Sequence, residues 1–191
     1  MMKNKLLTLA IAMSCTFAGA AMSMTKTEYK AQKDTISAQY KAAKEKCGSL
    51  KANAKDICMS EAKGAEKIAK AEAESGYKPS ASNTQKVAVA KADAMYDTAK
   101  EKCDDLAGNA KDVCIKDAKV VHTKAKDDAK ITKVSMEANK SKSDKMAEVK
   151  KDAATDEKEA MYKAAKERCD SLAGAPKDTC VTDAKVKFGM K

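Results

Sequence analysis

The sequence predicts an all-α protein, three disulfide-closed antiparallel helical hairpins joined by long Ala/Lys-rich helices, extended or loosely bundled. Three observations carry that expectation. Alanine and lysine each supply about one residue in five, whereas 4% of residues are aromatic and tryptophan is absent. Ala, Lys and Glu are strong helix formers, and little here suits a pleated, half-buried strand. Two prolines and seven glycines give too little punctuation for the short strands and tight turns of a sandwich, barrel or doubly wound sheet. Finally, six of the seven cysteines fall in three pairs of identical spacing: Cys47 with Cys58, Cys103 with Cys114, and Cys169 with Cys180.

The first twenty residues read as a signal peptide. Lys3 and Lys5 form a basic start, Leu6 to Met13 an apolar run, and Ala18-Gly19-Ala20 a small-residue site for cleavage between Ala20 and Ala21. The apolar run is far shorter than the roughly 20 residues that span a bilayer, so no transmembrane span is expected in the mature chain. A second reading makes Cys15 a lipid-modified N-terminus, although Ala12-Met13-Ser14 departs from the Leu-Ala-Gly tripeptide that usually precedes such a cysteine. Cleavage after Ala20 removes two lysines and no acid, lowering the formal charge from +10 to +8, and leaves six cysteines. An even set of cysteines in an exported chain points to disulfides.

Each cysteine pair sits in one phrase: YKAAKEKCGSLKANAKDIC from Tyr40, YDTAKEKCDDLAGNAKDVC from Tyr96, and YKAAKERCDSLAGAPKDTC from Tyr162. Gapless recurrence over this length defines an internal repeat and divides the chain into units 21–78, 79–140 and 141–191 after the leader 1–20. The phrase reads as a helix end, a turn and a helix start. Lys46, Lys102 and Arg168 place positive charge where the helix dipole favours it. Leu106 and Leu172 are expected to close the first helix, with Gly108 and Gly174 at the left-handed position beyond. The first copy has Ala52 there, which predicts a looser turn. Asn53 and Asn109 are expected N-caps, with Asp56 and Asp112 three residues on. Pro176 is expected at the first helical position, where its missing N–H costs nothing.

In such a hairpin the paired cysteines face each other, predicting the bridges Cys47–Cys58, Cys103–Cys114 and Cys169–Cys180. They would compensate for an alanine-rich apolar face whose larger members are few: Tyr29, Ile36, Tyr40, Leu50, Met95, Val121 and Met136. Reading Cys-x10-Cys as a metal or redox pair requires closer spacing and usually histidine. The single histidine, His122, is expected to be an exposed bystander on a lysine-rich face.

Ser75-Gly76-Tyr77-Lys78-Pro79-Ser80 marks a turn between units one and two. From Ala110 to Leu172 there is neither glycine nor proline, so the sequence permits either one helix on the order of 95 Å long or a break near residues 139–143. Tyr29, Ile36, Tyr40, Cys47 and Leu50 follow an eleven-residue more than a heptad pattern, as in a nearly straight coiled coil. Glu66–Lys70, Asp112–Lys116 and Glu159–Lys163 are acid-before-base pairs that suit a solvated helix face.

The phrase AKEKCDDLAGNAKDVC resembles one found in small exported Ala/Lys-rich proteins of Gram-negative bacteria, some labelled TolA-like; the resemblance covers the leader and the three cysteine hairpins. AAKEKC and KAKDDAK are similar to the eleven-residue repeats of group 3 late-embryogenesis-abundant proteins, which implies a stress or desiccation protectant as an alternative.

No nucleophile elbow, Gly-rich phosphate loop, HExxH or haem CxxCH is present, and no cofactor is implied; an enzyme is not expected. Nucleic-acid binding is disfavoured by export, by the single arginine Arg168, and by 28 acids dispersed among the lysines. The reading that remains is an exported periplasmic helical protein with a non-catalytic structural or interaction role at the cell envelope. Its expected partner is an anionic envelope component or a periplasmic protein, and a homo-oligomer is compatible with the pattern. Periplasmic metal binding through the cysteine pairs is a further alternative.

Overall fold

The computed structural model describes residues 24–137 and 142–191; the expected leader, with its expected cleavage between Ala20 and Ala21 and the alternative of lipidation at Cys15, falls outside them. The described residues form six helices and no strand: α1 (Lys26–Cys47), α2 (Ala52–Tyr77), α3 (Ala81–Cys103), α4 (Gly108–Met136), α5 (Lys142–Cys169) and α6 (Gly174–Phe188). Local chemistry fixes several ends. Thr25 accepts from Glu28 N and Glu28 reaches back to Thr25 N, a capping box that starts α1. Hydrogen bonds donated to the Glu28 carboxylate by the Thr25 backbone N–H and then by its hydroxyl hold that carboxyl below its ordinary pKa. Ser80 caps α3 by accepting from Asn83 N. The turn between α2 and α3 reduces to Lys78-Pro79, because Ser75, Gly76 and Tyr77 remain helical.

Three disulfides join Cys47 to Cys58, Cys103 to Cys114 and Cys169 to Cys180, with Cα separations of 5.5, 5.7 and 5.7 Å. Each first cysteine is the last residue of its helix, not one turn inside it, and Leu50, Leu106 and Leu172 lie in the turn. Lys111 and Lys177 bridge back across their turns to Asp104 and Asp170. Hydrogen bonding to Lys177 lowers the Asp170 pKa, and the same bond raises that of Lys177. The Asp contribution is therefore lost on acidification and the Lys contribution at high pH, leaving the exposed pair intact near neutrality.

Gly108 and Gly174 adopt the expected left-handed backbone, φ 56° and 60°, but they open the second helix instead of following the first. Ala52 adopts the same conformation, φ 49°, so the first turn is not looser. It has the same geometry, held by a residue whose Cβ makes that geometry unfavourable. Ala52→Gly is accordingly expected to stabilise the oxidised protein by about 0.5–1 kcal/mol, and Gly108→Ala to cost about 1 kcal/mol. Thermal melts check this; a lower melting temperature for Ala52→Gly would contradict it.

Asn53 and Asn109 are not N-caps. The residues at the cap positions are Lys51 and Ala107, in extended backbone, without a side-chain capping bond. Pro176 is the third helical residue of α6, not the first, still within the turn whose N–H groups have no partner in the helix.

Each helix packs on its neighbours in sequence, and non-adjacent helices make no contact among the described residues. The result is a single layer of antiparallel helices. The passage from Ala110 to Leu172 is not one rod: α4 ends at Met136, α5 begins at Lys142, and the two lie side by side. Asp117 pairs with Arg168, Lys124 with Glu157, and Lys130 with Asp156, in antiparallel register.

A single layer has little interior. Its buried apolar residues are Ile36, three cysteines (Cys47, Cys103 and Cys169) and alanines such as Ala73, Ala92, Ala129 and Ala164. Of the larger side chains expected inside, Ile36 is buried, Tyr29 and Tyr40 are half-buried, and Leu50, Met95, Val121 and Met136 are exposed. Small residues let the helices approach closely. A Cβ placed on Gly64 would lie 2.7 Å from the Ala94 Cβ.

Candidate interaction grooves between hairpins

Adjacent hairpins are joined by a clasp that recurs in register. Asn53 Nδ2 donates to the Glu101 carbonyl at 2.7 Å, and Asn109 Nδ2 donates to the Glu167 carbonyl at 2.8 Å. Beside each amide an acid on the earlier hairpin meets a base on the later one: Glu61 with Lys102, and Asp117 with Arg168. The accepting carbonyls belong to the last turn of α3 and α5, where each already accepts one backbone bond, from Asp104 N or Asp170 N, and has a second lone pair free. The asparagines thus satisfy the end of a neighbouring helix instead of the start of their own.

Two grooves lie at corresponding places between adjacent hairpins. One, of about 540 Å³, is lined by Tyr40, Met59, Ser60, Lys63, Asp97 and Glu101 among others. The second, of about 480 Å³, has Tyr96, Ile115, Lys116, Lys119 and Lys163 at the corresponding places. Lysine ammonium groups stand over the tyrosines, Lys44 at 5.4 Å from the Tyr40 ring centroid and Lys119 at 5.3 Å from that of Tyr96, a favourable contact of cation and π-face.

The second groove also holds two buried polar groups, of which His122 was expected on the surface. His122 is buried, not exposed: it is 7% accessible, stacks on Tyr96 with centroids 4.6 Å apart, and has Nε2 2.6 Å from Asp93 Oδ1. Since a carboxylate only accepts and an ammonium only donates, Nε2 donates to Asp93 while Nδ1 faces Lys119 Nζ at 3.4 Å. Asp127 is 1% exposed. Its Oδ1 accepts from Lys130 Nζ at 2.8 Å, whereas Oδ2 is buried without a hydrogen-bond partner. That hydrogen bond to Asp127 raises the Lys130 pKa, with Asp156 reinforcing it. The corresponding residue of the first unit is Ala71 and that of His122 is Glu66. These departures from the repeat are the sequence signal that could have marked both residues.

The cysteines, turn residues and grooves are separate features. The six sulfurs of the described residues are joined in pairs at the turns, so in the oxidised state these pairs offer no thiolates of the kind the metal reading requires. Gly108 and Gly174 shape the turns, whereas Asn53 and Asn109 bind the carbonyls of the next hairpin. Among the described residues, no cluster of three His, Cys, Asp or Glu is placed to hold a metal ion, and no helix is long and apolar enough to cross a membrane. Chemically, the second groove offers ammonium donors around an aromatic floor, with Asp127, Asp156 and Glu159 engaged by Lys130 or Lys163, whereas the first is evenly mixed, with Lys63 and Lys100 beside Asp56, Asp97 and Glu101. That arrangement suits several ionic contacts at once. Comparison of the chain with protein families, curated proteins and solved structures found no match.

Proposed function

We propose that this is an exported, non-catalytic helical module of the periplasm that engages an anionic envelope component through the lysines of its inter-hairpin grooves, above all those around Tyr96. The observation carrying this reading is the recurrence of the Tyr40 and Tyr96 grooves in register along one layer. A repeated site suits an extended or multivalent ligand, for which individually weak contacts add through proximity. The mature charge of +8 and three disulfides in the hairpin turns support the same reading.

Surface ammonium groups act over a Debye length of roughly 8 Å at physiological salt. The oxidised mature protein is therefore expected to sediment with isolated envelope at low salt and to be released as salt rises. Lys119→Glu combined with Lys163→Glu should shift release to lower salt. Binding that resists salt would indicate a protein partner held by an apolar seam. Failure to bind at low salt would overturn the interaction reading and favour a protectant, expected to be largely unfolded in dilute buffer and helical on drying.

A further inference from the structure

We infer that a second copy of this chain docks head to tail, its α1 against the outer face of α6. The inference follows from the repeat. Within the chain, the second helix of one hairpin twice receives the first helix of the next, α2 receiving α3 and α4 receiving α5. The outer faces of α6 and α1 carry the two halves of a third such seam, in register and exposed.

On the receiving side, Asp183 occupies the place of Glu61 and Asp117, the acids of the two internal clasps. On the entering side, Lys46 occupies the place of Lys102 and Arg168, the clasp bases. Ala38 and Ala42 correspond to Ala160 and Ala164, which are buried in the α4–α5 seam, yet both are exposed. The Glu45 carbonyl accepts from Gly48 N just as the Glu101 and Glu167 carbonyls accept from Asp104 N and Asp170 N. The latter two each take a second bond from an asparagine, and Glu45 takes none from the described residues.

The third repeat has Ala175 where the others have Asn53 and Asn109. The intermolecular seam therefore has the ion pair without the amide, making it weaker than the internal ones and dependent on concentration. Docking would also complete a third groove. Tyr162 occupies the place of Tyr40 and Tyr96, and the wall supplied elsewhere by Asp97 or Lys163 would come from Lys41 of the incoming chain. Because the two faces differ, the contact is heterologous and propagates into a ring or filament.

The test is sedimentation velocity on the purified, oxidised mature protein across a concentration series without envelope, so its failure is separable from failure of envelope binding. The wild type is expected to shift to larger species as concentration rises. Lys46→Glu alone and Asp183→Lys alone should each stay monomeric. An equimolar mixture of the two should associate, because the two reversed charges then face each other and the remaining faces pair as in the wild type. Ala175→Asn should lower the concentration needed for association by roughly 5-fold, as expected for one added hydrogen bond of about 1 kcal/mol. A wild type that stays monomeric together with an unassociated Ala175→Asn variant would overturn the inference. So would association of the Lys46→Glu protein by itself, which would point to a different surface.

Discussion

Replacing Cys103 and Cys114 together by serine is expected to lower stability by about 3 kcal/mol, the loop-closure contribution of a bridge of this size. For a chain of this length the corresponding fall in melting temperature is roughly 6–12 °C. The effect should exceed that of removing Cys47–Cys58 or Cys169–Cys180. The middle hairpin supports both inter-hairpin seams, and each outer hairpin supports one. Cys47, Cys103 and Cys169 are buried alike, so the burial contribution is common to the three bridges and the difference comes from the seams. Circular dichroism melts of the three double variants would check this, and equal shifts would contradict the special position of the middle hairpin.

Gly64→Val is expected to be the most damaging single substitution between hairpins one and two, at about 2–3 kcal/mol. Its Cβ alone would fall 2.7 Å from Ala94 Cβ, and the valine methyls cannot be accommodated without parting α2 from α3. The corresponding position in the next seam is Val120, facing the Ala160 position. The second seam is built to hold a valine and the first is not. Val120→Ala should therefore cost less than Gly64→Val, and the reverse order would show that the two seams are not packed as equivalent repeats.

Much of the fold was legible in local sequence because local chemistry determines it. Helix-forming composition, three cysteine pairs and the glycines at 108 and 174 lead directly to disulfide-closed hairpins. The turn at Lys78-Pro79 follows from the same reasoning. Tertiary packing decided what remained. Asn53 and Asn109 look like caps, but their amides serve a carbonyl 48 or 58 residues away, a partner that no local rule supplies. Ala52 is forced left-handed by a turn that its neighbours in the fold share. The helical propensity of 110–172 contains nothing that decides between a rod and a hairpin; lateral packing of α5 on α4 does.

The candidate site was less legible. Tyr40 and Tyr96 open the repeated phrase, yet their role as groove floors depends on the next hairpin arriving alongside. His122 looked solvated because lysines share its helix face, and nothing in the local sequence sets Asp127 apart from the other acids. Both are buried because α3 and α5 cover α4 from two sides. One sequence signal did anticipate the docking of hairpins. Asparagine is present in the two repeats that are followed by another hairpin, whereas the last repeat has Ala175 at that position.

The clasp between hairpins is the feature on which the layer, the grooves and the proposed self-association all depend. Peptide-resolved hydrogen exchange of oxidised wild-type and Asn109→Ala proteins tests it most directly. Loss of the amide leaves the Glu167 carbonyl one donor short and should weaken the α4–α5 seam by about 1–2 kcal/mol. Exchange in α5 and α6 is then expected to accelerate roughly 5- to 30-fold through local opening, while α1 and α2 keep their wild-type rates. Unchanged exchange in α5, or equal acceleration through all six helices, would contradict a layer assembled from separately closed hairpins joined at repeated clasps.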